Sequence, residues 1–467
     1  MDTFAEFIEI LDSFLWGAPL LLLLAGCHLF LSFRLKFIQR FLPMGIRLSF
    51  RRDPGARGDI SHFGALMIAL AATIGTGNVL GVTTAVVYGG PGAVFWCWLC
   101  GVFGIATRYA ETVLAVKYRV VGRDGMVCGG AMYVIERGMY CKWLAVLFAV
   151  FTLFACFGIG CMVQSNTVAS FTVRILPVPA WSVGLAEMVL FSAIIFGGLA
   201  GIAKVCNVLV PVMAAGYILS CFVLIGINHQ TLFPALKLIV TEAFSLRAVS
   251  GGFFGSVIML AMRYGIARGL FSNESGMGSA PLVAASARSA NPVRQALIAS
   301  TAVFWDTVCI CALTGLVIVS SALKINPAPD FSKFSVVELA GLAFANIPVI
   351  GRYILIFTLV TFGYTSILGW FCYGRQAALY FPGKKVFFCY RMIFILLIFA
   401  GSVLKLDLVW NISDIANGLM AVPNIISLFC LSGVIVSETR KYLWSGKIDE
   451  IDPECAMIHE EKQIPSE

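Results

Sequence analysis

Two short runs hold the residue types that could bind a small charged solute inside an apolar chain. The first, "ATIGTGNVLG" at residues 72–81, sets Gly75, Gly77 and Gly81 among Thr73, Thr76 and Asn78. The second, "ARGLFSNESGMGSAP" at residues 267–281, sets Gly269, Gly276 and Gly278 around Ser272, Asn273 and Glu274. Glycine weakens a helix by about 1 kcal/mol relative to alanine, and backbone groups in lipid must all find partners within the protein. A helix interrupted at such a run frees C=O groups where its first half ends and N–H groups where its second half begins. The N–H end favours an anion such as a carboxylate, and the C=O end favours a cation. An amino acid carries both charges and fits between such ends; sodium also accepts carbonyl oxygens. Read alone, the first run is explained equally well by close packing of small residues. The polar cluster of the second run suits no lipid-facing helix, and together the two runs point to unwound segments lining a cavity.

Other chemistries find little support. The fifteen cysteines are scattered through apolar segments. Cys97 and Cys100, a C-x-x-C in "FWCWLCGVFG", read as small buried apolar residues, and no structural disulfide is expected. Four histidines, with no H-E-x-x-H and no Cys/His cluster, argue against a zinc or haem enzyme. No nucleophile–base pair stands out and no P-loop supports an ATP-driven pump. An asymmetric chain does not suit a channel built as a ring of identical subunits. No catalytic residue and no cofactor is expected.

The elements that position the two runs must be membrane helices. The chain of 467 residues is 59% hydrophobic and 12% charged, whereas soluble domains are about 25% charged. Its net charge of +8 reflects Lys and Arg in cytoplasmic loops rather than a nucleic-acid surface. The reading is an all-α integral membrane protein of about eleven spans: one N-terminal helix at 14–33, five spans within 60–227 and five within 251–436. With the first helix set aside, the two interrupted helices open two sets of five. Matching interruptions of this kind mark an inverted-repeat secondary transporter with its site at the midplane. Basic loops after the first, third, seventh and ninth spans put the N-terminus outside and the tail, 437–467, in the cytoplasm. That polar tail is expected to be disordered. Residues 40–57 suggest an interfacial helix, and "FSKFSVVELAGLAF" a short helix on the outer face. The acidic N-terminus lacks the basic start and cleavage site of a signal peptide, so the first apolar segment is expected to be retained.

The blocks "GDISHFGALMIALAATIGTGNVLGV", "GGPGAVFWCWLCGVFGIATRYAETVLAVKYR", "GGAMYVIERG", "RYGIARGLFSNESGMGSAP", "NPVRQALI", "FGYTSILGWFCYG" and "NISDIANGLMAVPN" resemble the alanine or glycine:cation symporter family over residues 15 to 436. The resemblance implies a LeuT-type core of five plus five helices with one extra helix, a monomer in the cell (inner) membrane. It also implies uptake of alanine, glycine or similar small amino acids coupled to sodium, or in some members to protons. By the same resemblance, the N–H groups of Thr76, Gly77 and Asn78 meet the substrate carboxylate and Gln164 reaches the site. Phe271, Ser272 and Asn273 offer carbonyls and side chains to the ammonium, while Met277 and Trp370 limit side-chain space. A sodium site follows from the carbonyls of Ala71, Ile74 and Phe362 with the hydroxyls of Thr365 and Ser366. Ser275, Arg263, Tyr264, Gly363 and Tyr364 depart from the family's usual residues and leave substrate preference open.

Charged residues at membrane depth are functional by default, though structural pairing is also common. Here they are Glu111, Glu187, Arg263, Arg268, Glu274, Asp306 and Asp414. Arg268 and Glu274 flank the second interruption and are expected to hold its two halves. Arg108 and Glu111 fit a snorkelling or a gating role equally well. Asp306 is a candidate proton-linked residue, with a structural role the favoured reading. His28 is expected at the lipid interface or a helix contact.

Overall fold

The computed structural model describes residues 2–51, 53, 56–122, 125–174, 177–245, 257–404 and 407–452. Helices α1 (Asp2–Leu15), α2 (Ala18–Arg34) and α3 (Leu42–Ser49) precede the first interrupted pair, α4 (His62–Thr73) and α5 (Leu80–Gly89). Helix α6 (Ala93–Lys117) leads to a small antiparallel hairpin, β1 (Val120–Val121) and β2 (Val127–Cys128), and to α7 (Ala131–Gly138). Then come α8 (Lys142–Phe157) and α9 (Val163–Val173), joined by a π-helical segment, followed by α10 (Ala180–Ile195), α11 (Gly198–Ile227) and α12 (His229–Ala243). The second interrupted pair is α13 (Val257–Asn273) and the short α14 (Pro281–Ala284). Helices α15 (Pro292–Val303) and α16 (Ala312–Ile325) flank a second π segment, Phe304–Cys311. The chain continues with α17 (Val336–Ala345), α18 (Gly351–Tyr380), α19 (Lys384–Val403), α20 (Asp407–Cys430) and α21 (Ser432–Thr439).

Helices dominate because a helix satisfies its own backbone in lipid. Among the described residues, eight helices are long and apolar enough to cross a membrane, and α4 with α5, bent by 59°, makes a ninth. Helix α10, at 16 residues, is shorter. The N-terminal run divides at Trp16–Gly17, and the Trp16 indole donates to the Asp414 carbonyl at 3.0 Å, fastening this corner to α20. His28 is a helix contact: its Nδ1 lies 2.8 Å from the Thr107 hydroxyl on α6. Helices are present where the two short ones were expected, α3 within 40–57 and α17 at "FSKFSVVELAGLAF". Helix α12 fills a connection that the sequence reading left without structure.

The expectation of a disordered tail is corrected for residues 437–452. Tyr109 pairs with Thr439 at 2.9 Å, and Lys117 with Glu438 at 2.5 Å. The Asn291 amide donates to the carbonyls of Ile448 and Glu450, each at 2.9 Å. A polar end read as unable to bury apolar surface is instead held by backbone and charge partners. Residues 453–467 lie outside the described residues.

Ion pairs tie segments together at the face that carries the basic loops. Arg294 binds Asp53 at 2.6 Å and also pairs with Asp449, while His62 reaches Asp53 at 2.9 Å and Gln295 at 2.7 Å. Burial works against the ionised form of Asp53. The His62 hydrogen bond and the His62 and Arg294 charges overcome it and hold the carboxyl below the usual aspartate range. A parallel bridge between Ile60 and Ala287 ties the start of the first interrupted helix to the end of the second. On the opposite face a vestibule of about 460 Å³ is lined by Glu9, Asp12, Arg268, Trp410, Asn411 and Asp414.

Candidate functional site

Following each backbone group across the first break locates its open ends. Helix α4 closes normally through Ile74, whose N–H donates to Leu70 O at 2.7 Å. The next N–H, on Gly75, turns away to the Asn78 Oδ1 at 2.8 Å, which leaves the Ala71 carbonyl without its helical partner. Asn78 N–H closes on Gly75 O at 3.1 Å and Val79 N–H on Thr76 O at 3.3 Å. The N–H groups of Thr76 and Gly77 therefore point out of the turn, and the carbonyls of Ala71 and Ile74 out of the helix end. The N–H of Asn78, expected at the carboxylate, is engaged within its own turn instead.

The glycines of this run divide by role. A Cβ on Gly75 would lie 2.5 Å from the Ser366 hydroxyl, so this glycine lets α18 approach. A Cβ on Gly77 would meet only the Phe271 ring, at 3.5 Å, and one on Gly81 only the Arg268 side chain, at 3.9 Å. Packing accounts for Gly75; at Gly77 a Cβ would make only an ordinary contact with the Phe271 ring, so close approach of another element does not require glycine there.

The second break is held by one neighbouring helix. Arg108 of α6 donates to the Asn273 carbonyl at the end of α13. One turn on, Glu111 Oε1 accepts from the N–H groups of Gly276 and Gly278, each at 2.9 Å, and from the Asn424 amide at 2.7 Å. Gly276 and Gly278 have φ of +92° and +79°, a region that disfavours a Cβ. Ser275 N–H turns to the Asn273 side chain at 2.9 Å. The carbonyls of Phe271 and Ser272 thus lose the N–H groups that would continue the helix. Arg108 and Glu111 do the holding that was expected of Arg268 and Glu274. Glu274 accepts from Ser279 at 2.6 Å, while Arg268 faces the vestibule, its guanidinium 5.8 Å from the centre of the Phe271 ring.

Side chains cross between the breaks. Asn78 Nδ2 donates to Asp306 Oδ1 at 2.6 Å, and the hydroxyls of Ser272 and Thr307 donate to Oδ2 at 2.8 and 2.6 Å. Asp306 is fully buried on the π segment, a helix form that concentrates at functional sites. Thr76 donates to Gln164 at 3.0 Å, which brings α9 to the first break. On α18, Thr365 bonds the carbonyls of Thr361 and Phe362 at 3.0 and 3.1 Å, whereas the buried Ser366 hydroxyl, beside Gly75, has no partner.

The chain as a whole resembles known proteins. The model of the sodium:alanine symporter family matches residues 1–456. The chain belongs to that family. The symporter is 44% identical over 446 residues to the sodium/alanine symporter AgcS of Methanococcus maripaludis, covering 94% of this chain and 97% of the relative. It is also 44% identical over 459 residues to an uncharacterized transporter of Haemophilus influenzae, covering 96% and 98%. Its fold resembles the crystal structure of MhsT in complex with L-phenylalanine, with a TM-score of 0.57 at 12% identity, covering 86% of this chain and 96% of that one. The LeuT-type architecture expected from sequence is thereby established, and the symporter is a multi-pass membrane transporter.

Of the residues expected at the symporter's site, Thr76, Gly77, Asn78, Gln164, Phe271, Ser272 and Asn273 converge around the two breaks, and Met277 lies fully buried within the second. Trp370 packs on Gly160 of the π segment between α8 and α9, where a Cβ would run into its ring. If Trp370 limits side-chain space as the family resemblance implies, Trp370→Ala lets valine and leucine compete with labelled alanine for uptake. Wild-type selectivity with a lowered melting temperature would confine Trp370 to helix packing, since Trp→Ala in a core costs about 3–5 kcal/mol.

Proposed function

We propose that the protein is a sodium-coupled symporter that imports small neutral amino acids, alanine and glycine, by alternating access. The observation that carries this reading is the paired set of open backbone groups. The N–H groups of Thr76 and Gly77 suit a carboxylate, and the carbonyls of Phe271 and Ser272 suit an ammonium. The sodium/alanine relative, 44% identical, supports the substrate class. Sodium is assigned to the carbonyls of Ala71, Ile74 and Phe362 with Thr365 and Ser366, because the Ser366 hydroxyl, without a hydrogen-bond partner among the described residues, lies beside the open end of α4. By the distribution of Lys and Arg, the face that carries the basic loops is assigned to the cytoplasm and the vestibule to the outside, with the protein working as a monomer. Proton coupling is the alternative.

Uptake of labelled alanine and glycine into proteoliposomes, under imposed sodium or proton gradients, tests the reading. Uptake driven by neither gradient would reject it. Ser366→Ala and Thr365→Ala each remove one hydroxyl ligand and are expected to raise the half-saturating sodium concentration roughly tenfold, since a hydrogen-bond-scale loss of about 1.4 kcal/mol is a factor of ten. Unchanged sodium dependence in both variants would move the cation elsewhere.

A further inference from the structure

Glu187 lies midway along α10, buried, in a position that the proposed alanine and sodium sites do not use. Its Oε2 is 2.6 Å from the Ser165 hydroxyl, and that hydroxyl is also 2.7 Å from the Ile398 carbonyl of α19. A serine hydroxyl has one hydrogen to give. If Glu187 were a carboxylate, both neighbours of Ser165 would be acceptors, and its hydroxyl oxygen would lie within 2.7 Å of one of them with no hydrogen between the two oxygens. Both contacts are served when Glu187 is the carboxylic acid: it donates to Ser165 Oγ, and Ser165 donates to Ile398 O. The second oxygen, Oε1, has no partner. No Lys or Arg faces the group among the described residues. An ionised carboxylate left unpaired at this depth is costly, and such groups keep a proton instead.

The surroundings connect this group to the substrate site. Ser165 follows Gln164, which bonds Thr76 at the first break. The titratable groups around Glu187 are Cys161 beside α9, and Tyr364 on α18, whose hydroxyl is also unpartnered. From α11, Cys206 lies on the Tyr364 side. On α19, Tyr390 lies near Cys161, and Arg391 stacks on Phe196 beyond the end of α10.

We propose that Glu187 is a proton-binding site, occupied in this conformation, and that loss of its proton breaks the α9–α10–α19 contact and so weakens substrate binding through Gln164. The last step rests on the alanine reading; the proton site itself does not. Glu187→Gln is the informative variant, because its amide can donate to Ser165 as the acid does. Infrared difference spectra of wild type against this variant are expected to contain the carbonyl band of a protonated carboxylic acid. As pH rises through the titration, the wild-type melting temperature is expected to fall and alanine affinity to weaken about tenfold per pH unit. Both are expected to stay level in Glu187→Gln. A missing band difference, or the same alkaline losses in both proteins, overturns the proposal, as does a wild type insensitive to pH. Failure to bind alanine at any pH would reject the symporter reading, while the infrared and melting measurements would still decide the proton site.

Discussion

Gly77→Ala is expected to yield a folded protein whose affinity for alanine is weakened about tenfold to a hundredfold. The added Cβ meets no backbone and only the Phe271 ring, at an ordinary contact distance of 3.5 Å. The Gly77 φ is not in the left-handed region, so alanine can adopt the backbone without strain. The methyl group instead occupies the space through which a carboxylate would approach the N–H groups of Thr76 and Gly77. Overpacking of this kind costs about 1–3 kcal/mol, so binding should weaken by about tenfold to a hundredfold. Alanine affinity and melting temperature measured on the same purified variant separate the two roles of glycine. Wild-type affinity would mean that the carboxylate does not sit at Gly77.

A larger loss of stability is expected at Glu111. Glu111→Ala strands the N–H groups of Gly276 and Gly278 and one N–H of the Asn424 amide, which also donates to the Gly276 carbonyl at 2.9 Å. Each unsatisfied donor costs about 1–3 kcal/mol. The melting temperature should drop sharply and alanine binding should vanish with the geometry of the second break. Glu111→Gln retains a carbonyl oxygen to accept these bonds and should recover most of the stability. An alanine variant that melts with wild type would show that the break holds itself.

Much of this site was legible in the sequence because glycine and polar residues stand out in an apolar chain. Both breaks were located that way, and so was the division of labour between N–H and C=O ends. What holds the breaks was not legible. Arg108 and Glu111 act on residues some 165 positions further on, and Asp306 reaches back to Asn78 across 228. Local spacing contains no trace of such pairings, so proximity in sequence favoured Arg268 and Glu274 for the role. The engagement of Asn78 within its own turn depends on a side chain folding back, which composition does not specify. The docked segment at 437–452 escaped notice for a related reason: its partners, such as Asn291 and Arg294, belong to a distant helix start.

The placement of Arg108 and Glu111 on α6 also bears on how the chain is made. Helix α6 leaves the ribosome long before the glycines it will clamp, and Asn424 follows 313 residues after Glu111. Each charge alone would resist entering the bilayer, at a cost of about 2.5–3.5 kcal/mol for Arg at a helix centre. Three residues apart on one helical face, the two can neutralise each other. The helix thus carries its own counterion, and in the folded protein the charge of Arg108 still acts on Glu111 while each also engages the second break.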